Sequence, residues 1–285
     1  MYIYVNGQYI RKEEAVISPF DHGYLYGLGV FETFRTYKCH PFLLDDHLER
    51  LNKGLQELGI MKEFHRNEVM EIIGRLVELN GLPDSYIRFN VSAGIGEIGL
   101  QTAPYDGPTI IMFQKSLAPT QPNQEKEAVI VSIPRNTPET IHRLKSHHFF
   151  NNVAAKREIG SDTQKEGIFL TKEGFLAEGI TSNLFWVQDD VLYTPSLETG
   201  ILNGITRKWL ITMAKRLGIN LQEDLFSASA LNVAQEIFFT NSIQEIVPVY
   251  KLGKKLFPGK EGKLYQKFHK EYKKCVNTHW SIEGL

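Results

Sequence analysis

The sequence predicts two α+β domains, and three observations carry that reading. The 285 residues amount to about two domains at roughly 150 residues each. Strand-like and helix-like stretches are mixed along the chain without the regular β-α alternation of a doubly wound fold. The segment APTQPNQ at 118–124 bears prolines and lacks large apolar side chains. It is the expected linker between a smaller domain over 1–117 and a larger one over 125–285.

Each element has a local reason. Tyr2 to Val5 and Gln8 to Ile10 flank Asn6-Gly7, a strong two-residue hairpin signal. Leu48, Leu51, Leu55 and Leu58 recur at helical spacing from Asp45 until Gly59, and Asn67 is the expected cap of a second helix carrying Val69, Ile72, Ile73, Leu76 and Leu79. Strands follow at 86–92 and 109–114. Beyond the linker, strands are expected at 128–133, 167–170, 184–187, 191–193 and 236–240. Helices are expected after Phe149, at 206–217 and 228–235, and from about Gly262. In the lysine-rich stretch 251–274, Tyr265, Phe268 and Tyr272 fall at i, i+3 and i+7, one stripe of a docked amphipathic helix with the lysines on its solvated face.

Composition removes several classes of function. With 42% hydrophobic and 23% charged residues the chain can bury a sizeable core, which excludes disorder as the main state. The balance of 32 Lys+Arg against 33 Asp+Glu provides no broad field for nucleic acid or an anionic membrane, so neither is an expected partner. No run approaches the roughly 20 apolar residues that span a bilayer, and the first residues lack a signal-peptide pattern. Cys39 and Cys275 make neither a disulfide framework nor a zinc-ligand spacing, so a reducing cytoplasm is expected. Gly94, Gly96 and Gly99 spell G-x-G-x-x-G, but LQTAPYDGP follows where a dinucleotide site needs a helix start, and the reading is a glycine loop. No metal is expected at His142, His147 and His148, because no acid or thiolate completes a ligand set.

Three segments look chemical together. In GILNGITRKWL a glycine-rich turn leads into a helix near Ile205-Thr206, whose backbone N–H groups and dipole can hold a phosphate. In LAEGITSNLF, Glu178 sits in a polar run between apolar residues; a surface turn is the alternative. In RNTPETIHRLKSHHFFNN, Lys145 stands among Arg135, Arg143, His142, His147 and His148, cations that would lower its pKa towards a nucleophilic amine. A lysine, a phosphate cradle and a lone carboxylate are the protein groups that pyridoxal phosphate demands.

At this point the sequence resembles the fold-type IV pyridoxal-phosphate enzymes, also called the class IV aminotransferase family. The likeness runs through VNGQYI, SPFDHGYLYGLGVFETFR, HLERL, RLKSHHFFNNVAAKREI, AEGITSN, GILNGITR and TNSIQEIVPV, in family order over about residues 2 to 250. It implies the two-domain, D-amino-acid-aminotransferase-like α+β fold with pyridoxal 5′-phosphate between the domains. It implies that Lys145 is the Schiff-base lysine and general acid/base, and that Glu178 partners the pyridine nitrogen. Arg50, Ile205, Thr206 and Ser242, with the neighbouring Asn241, hold the phosphate, and Leu202 packs on the ring. A homodimer acting on a small molecule is implied too.

The departures favour one branch. D-amino-acid aminotransferases carry Tyr where this chain has Phe31, and an Arg-x-His pair where it reads GIGEIGLQ. Branched-chain aminotransferases read Phe-Glu-Gly where it reads Phe31-Glu32-Thr33, and carry Tyr where it has Phe150. The chain most resembles the aminodeoxychorismate lyase branch, with Thr33 as a further catalytic candidate, although His22 and Leu28 replace the Arg and Asp of many lyases. The alternatives are a branched-chain or D-amino-acid aminotransferase and a non-catalytic protein that binds the cofactor.

Overall fold

The computed structural model describes residues 1–117 and 124–285. The expected linker at 118–124 therefore lies outside the described residues, apart from Gln124. The chain forms two compact units: the described part of Met1–Ala118 with Leu144–His148 and Cys275–Leu285, and the described part of Pro119–Arg143 with Phe149–Lys274.

The first unit opens with the hairpin β1 (Tyr2–Val5) and β2 (Gln8–Arg11). Its turn places Asn6 and Gly7 at φ 45° and 90°, the left-handed region that the Asn-Gly pair tolerates. Then follow the short helix α1 (His22–Tyr26), β3 (Gly29–Tyr37), β4 (His40–Pro41), α2 (Leu44–Glu57), α3 (Arg66–Asn80), β5 (Ser85–Ser92) and β6 (Thr109–Ser116). The six strands order as β2-β1-β6-β5-β3-β4. One face of β3 and β5, with Val30, Phe34, Ile87, Phe89 and Val91, packs against Leu48, Leu51 and Leu55 of α2 and Val69, Ile73 and Leu76 of α3. The helical periodicity identified those residues correctly. Asn67 does not cap α3: His65 holds the cap position in extended backbone and Asn67 lies within the first turn.

Lys145 belongs to this first unit and not, as expected, to the C-terminal one. Phe31 N donates to Lys145 O at 2.9 Å, His147 N donates to Gly29 O at 3.0 Å, and Val30 bridges Ser146. The reason is an open edge. The β4 strand covers β3 only at Thr36 and Tyr37, so the other end of β3 takes the 144–148 segment instead. The C-terminal residues join the same unit through Leu43 N to His279 O at 3.1 Å and Asp45 N to Trp280 O at 3.0 Å.

The second unit contains β7 (Lys126–Ile130), α4 (Phe150–Ile159), β8 (Lys165–Leu170), β9 (Leu176–Gly179), β10 (Asn183–Gln188), β11 (Val191–Pro195), α5 (Ile205–Arg216), β12 (Leu221–Asp224), α6 (Ala230–Val233), β13 (Glu236–Asn241), β14 (Glu245–Leu252), β15 (Lys255–Leu256) and α7 (Lys263–Cys275). Its sheet runs β12-β11-β10-β13-β14-β7-β8-β9, with β15 beside β14. Leu184, Trp186, Ile237, Phe239 and Val249 form its main core. The aromatic stripe of α7 is buried as its spacing predicts. Glu236 of β13 accepts from Leu264 N and Tyr265 N at 3.0 Å each, satisfying the amides that a helix start leaves open.

One expectation changes here, and one strand was not expected. The 228–235 helix shrinks to one turn, Ala230–Val233. The β14 strand was missed because its first five residues are all buried, which erases the alternation, and because Pro248 argues against an interior strand. The glycine loop is confirmed at Gly94, whose φ is +81°. A Cβ there would lie 1.9 Å from the Gly107 carbonyl oxygen, so a close backbone crossing requires the glycine. Among the described residues, no helix is long and apolar enough to cross a membrane.

Candidate active site

Glu178 sits near the end of β9 and is buried, not on a surface turn. Its Oε1 accepts from Arg135 Nε at 2.8 Å; its Oε2 accepts from Leu202 N at 3.0 Å and Asn183 Nδ2 at 3.4 Å. Arg143 Nε lies 3.9 Å from Oε1. Burial, and secondly the Arg135 charge, push the Arg143 guanidinium down to about 10 against the pull of Glu178. The sequence reading gave Arg135 and Arg143 the task of tuning Lys145. In the structure both reach Glu178, because a buried carboxylate is costly without a compensating cation.

The same unit carries the phosphate candidates. Gly204 precedes α5 in extended backbone and provides no side-chain cap, while Ile205 and Thr206 are buried. A Cβ on Gly204 would meet Asn183 Oδ1 at 2.1 Å, so the turn is fixed against Asn183, whose Nδ2 donates to Leu202 O at 2.8 Å. Between β13 and β14, Asn241 Oδ1 accepts from Ile243 N at 3.0 Å and Gln244 N at 2.7 Å, shaping the turn that presents the half-buried Ser242. Thr240 stands opposite Asn183 in the β10–β13 register, so both side chains project from one sheet face. Its buried Oγ1 has no hydrogen-bond partner among the described residues. An uncapped helix start beside Asn183 and an orphaned hydroxyl paired with the same residue suit an anionic oxygen-rich ligand, and the residues therefore fit the phosphate of the implied cofactor. Thr240 was missed because every residue of Glu236–Thr240 is buried and no periodicity marks its direction.

In the first unit, Lys145 is half-buried with its Nζ 4.6 Å from the centroid of the Phe31 ring. The Arg88 guanidinium carbon lies 3.8 Å from the same centroid, and its Nε donates to Asn90 Oδ1 at 3.1 Å. Thr33 pairs with Arg88, and Phe31 with Asn90, so these four side chains share one face of the β3–β5 ladder. Arg88 was missed, although a cation between Ile87 and Phe89 in a half-buried strand was the signal for it. His147 stacks on Phe31, with centroids 6.2 Å apart. Burial and then the Arg88 charge lower its pKa to about 4, so it is neutral at physiological pH.

The opposite face of β3 carries Glu32, fully buried. Arg50 binds it through Nε and a terminal nitrogen, at 2.7 Å each, and His47 Nδ1 lies 2.6 Å from Oε2. Burial alone would raise the Glu32 pKa, but Arg50 and then His47 outweigh it and hold it at about 2. The expected phosphate ligand Arg50 is thus pinned from behind by a carboxylate that the sequence reading had not connected to it.

The chain is similar to known proteins in sequence and in fold. The chain is 47% identical over 278 residues to an aminodeoxychorismate lyase of Bacillus subtilis (strain 168), covering 97% of this chain and 95% of the relative. It superposes on the crystal structure of 4-amino-4-deoxychorismate lyase from Pseudomonas aeruginosa with a TM-score of 0.84 and 27% identity, covering 96% of this chain and 99% of that one. A branched-chain amino acid aminotransferase of T.th., complexed with N-(5′-phosphopyridoxyl)-L-glutamate, matches with a TM-score of 0.85 and 27% identity over 97% of this chain and 94% of that one. The amino-transferase class IV family matches residues 29–252, and the chain belongs to that family.

Proposed function

We propose that this chain is a pyridoxal-phosphate-dependent lyase that converts 4-amino-4-deoxychorismate to 4-aminobenzoate and pyruvate, a step of folate biosynthesis. The observation that carries the choice of branch is the 47% identity to the Bacillus subtilis lyase across nearly the whole of both chains. Pyridoxal phosphate, when bound, supplies an electron sink for the carbon that bears the substrate amine. Ile205, Thr206, Asn241, Ser242 and Arg50 would hold its phosphate, Leu202 would pack on its ring, and the Glu178 carboxyl would face its ring nitrogen. Lys145 would hold the group through its side-chain amine and would take the proton from the amine-bearing carbon of the substrate. Thr33, on the same face as Phe31, offers a hydroxyl for proton handling. The enolpyruvyl oxygen then leaves the adjacent carbon, and aromatisation of the substrate ring drives the reaction.

The face near Lys145 supports elimination over transamination. Phe31 has no hydroxyl, and the 94–101 loop has no Arg-x-His pair to clamp a carboxylate on the reacting carbon. An aminotransferase needs such a clamp, because its substrates carry the carboxylate on that carbon. Chorismate-derived substrates carry carboxylates elsewhere, and Arg88, stacked on Phe31, is a cation on this face suited to meet one.

The functional form is a homodimer in a reducing cytoplasm. Val16, Phe20 and Tyr24 are exposed, as are Ile95, Ile98 and Leu100. The two segments are tied by Gly96 N to Phe20 O at 3.2 Å and Gly99 N to Tyr26 Oη at 2.7 Å, making one apolar patch that supports a second copy as occupant. Both cysteines are free thiols. Purified protein given aminodeoxychorismate is expected to release 4-aminobenzoate and pyruvate in equal amounts without a keto-acid acceptor. A requirement for 2-oxoglutarate, or faster reaction with branched-chain or D-amino acids, establishes an aminotransferase instead.

A further inference from the structure

The second unit holds a buried ion pair that has no part in the proposed chemistry. Lys126 Nζ, at the start of β7, donates to Glu166 Oε2 of β8 at 3.0 Å, and both side chains are 7% exposed. Glu166 Oε1 accepts from Ser182 Oγ at 3.0 Å and Thr181 N at 3.3 Å, in the turn that joins Glu178 on β9 to Asn183 on β10. The fit is tight: a Cβ on Gly179 would meet Ser182 Oγ at 2.1 Å and Glu166 Oε1 at 2.9 Å. Lys126 Nζ also donates to Gln244 Oε1 at 3.3 Å, and that oxygen accepts from Asn241 Nδ2 at 3.3 Å, in the turn that presents Ser242. A single path of hydrogen bonds, Ser182–Glu166–Lys126–Gln244–Asn241, thus joins the two turns.

We infer that the Lys126–Glu166 pair, acting through Gln244, is a positioning device that sets the Ser242 turn for the cofactor phosphate relative to the Glu178 hairpin. A buried ion pair is weak evidence for stability, since an apolar replacement of both partners is often neutral. Here each partner spends its remaining hydrogen bonds on a different turn. The result is one rigid unit holding the phosphate end and the ring-nitrogen end at a fixed separation.

The inference rests on the reading that Ser242 holds the phosphate, and the test separates the two. Gln244→Leu cuts Lys126 from the turn and leaves the ion pair intact. The full-length chain, stripped of cofactor, is titrated with pyridoxal phosphate and with pyridoxal, which lacks the phosphate, alongside Ser242→Ala and the conservative Gln244→Glu. Gln244→Leu is expected to weaken pyridoxal phosphate about tenfold, the scale of one misplaced hydrogen bond, to leave pyridoxal unchanged and to melt like the parent. Gln244→Glu, which keeps an acceptor for Lys126, is expected to bind like the parent. If Ser242→Ala weakens pyridoxal phosphate and Gln244→Leu does not, or if Gln244→Leu weakens both ligands equally, the positioning role is overturned. If Ser242→Ala changes neither ligand, the assignment of the phosphate turn fails and the inference falls with it.

Discussion

Arg135 Nε donates to Glu178 Oε1 at 2.8 Å with both side chains only 6% exposed, so the acid proposed for the ring nitrogen is itself held by a buried cation. Two consequences separate on mutation. Glu178→Gln removes the carboxyl oxygen proposed to face the ring nitrogen and is expected to cost on the order of 10²-fold or more in turnover, the scale for one preorganised electrostatic partner. It also leaves Arg135 less compensated, so the apoprotein should lose about 3 kcal/mol by denaturant unfolding. Arg135→Met should destabilise comparably. An unchanged rate in folded Glu178→Gln removes Glu178 from the mechanism.

Borohydride reduction of the cofactor-loaded protein, followed by peptide mapping, is expected to place the pyridoxyl group on Lys145. Lys145→Ala should lose essentially all turnover. A label on Lys156 or Lys165 contradicts the assignment.

Arg88→Leu is expected to raise the KM for aminodeoxychorismate by about tenfold to a hundredfold, the loss of a charge-assisted hydrogen bond, with a smaller change in kcat. It should leave affinity for pyridoxal phosphate unchanged, because Arg88 is given no role in holding the cofactor. Equal loss of cofactor affinity means that Arg88 supports the fold and not the substrate.

The acid limb of stability should report Glu32. Its pKa falls from 4.5 to about 2 on folding, so its stabilising contribution is present above pH 4.5 and is lost as pH falls towards 2. His47 acts in the same direction, since burial keeps its folded pKa below 6.5 and the unfolded chain takes up a proton first. Chemical unfolding between pH 4.5 and 3 is expected to show a steeper loss in the parent than in Glu32→Gln. Parallel slopes refute the buried charge.

Sedimentation should give a dimer, and Ile95→Glu with Leu100→Glu should yield monomer without unfolding. A stable, active parent monomer would refute the proposed assembly.

The periodic and turn-forming parts of the chain were legible without coordinates. Asn6-Gly7 specifies its turn by backbone sterics, and the leucines of α2 and the aromatics of α7 mark buried faces through a 3.6-residue period that needs no distant partner. Lys145 and Glu178 stood out in the sequence as a conjunction of residue types that the chemistry of one cofactor demands, and their roles are part of the proposal. The grouping of Lys145 with the first unit was not legible, since it depends on which strand edge β4 leaves open. Nor were the partners of charged groups: Arg50 with Glu32, Arg135 with Glu178 and Lys126 with Glu166 lie 18, 43 and 40 residues apart. Sequence records that a charge exists. Only the fold, by burying a carboxylate where water cannot reach it, decides which cation must come to meet it.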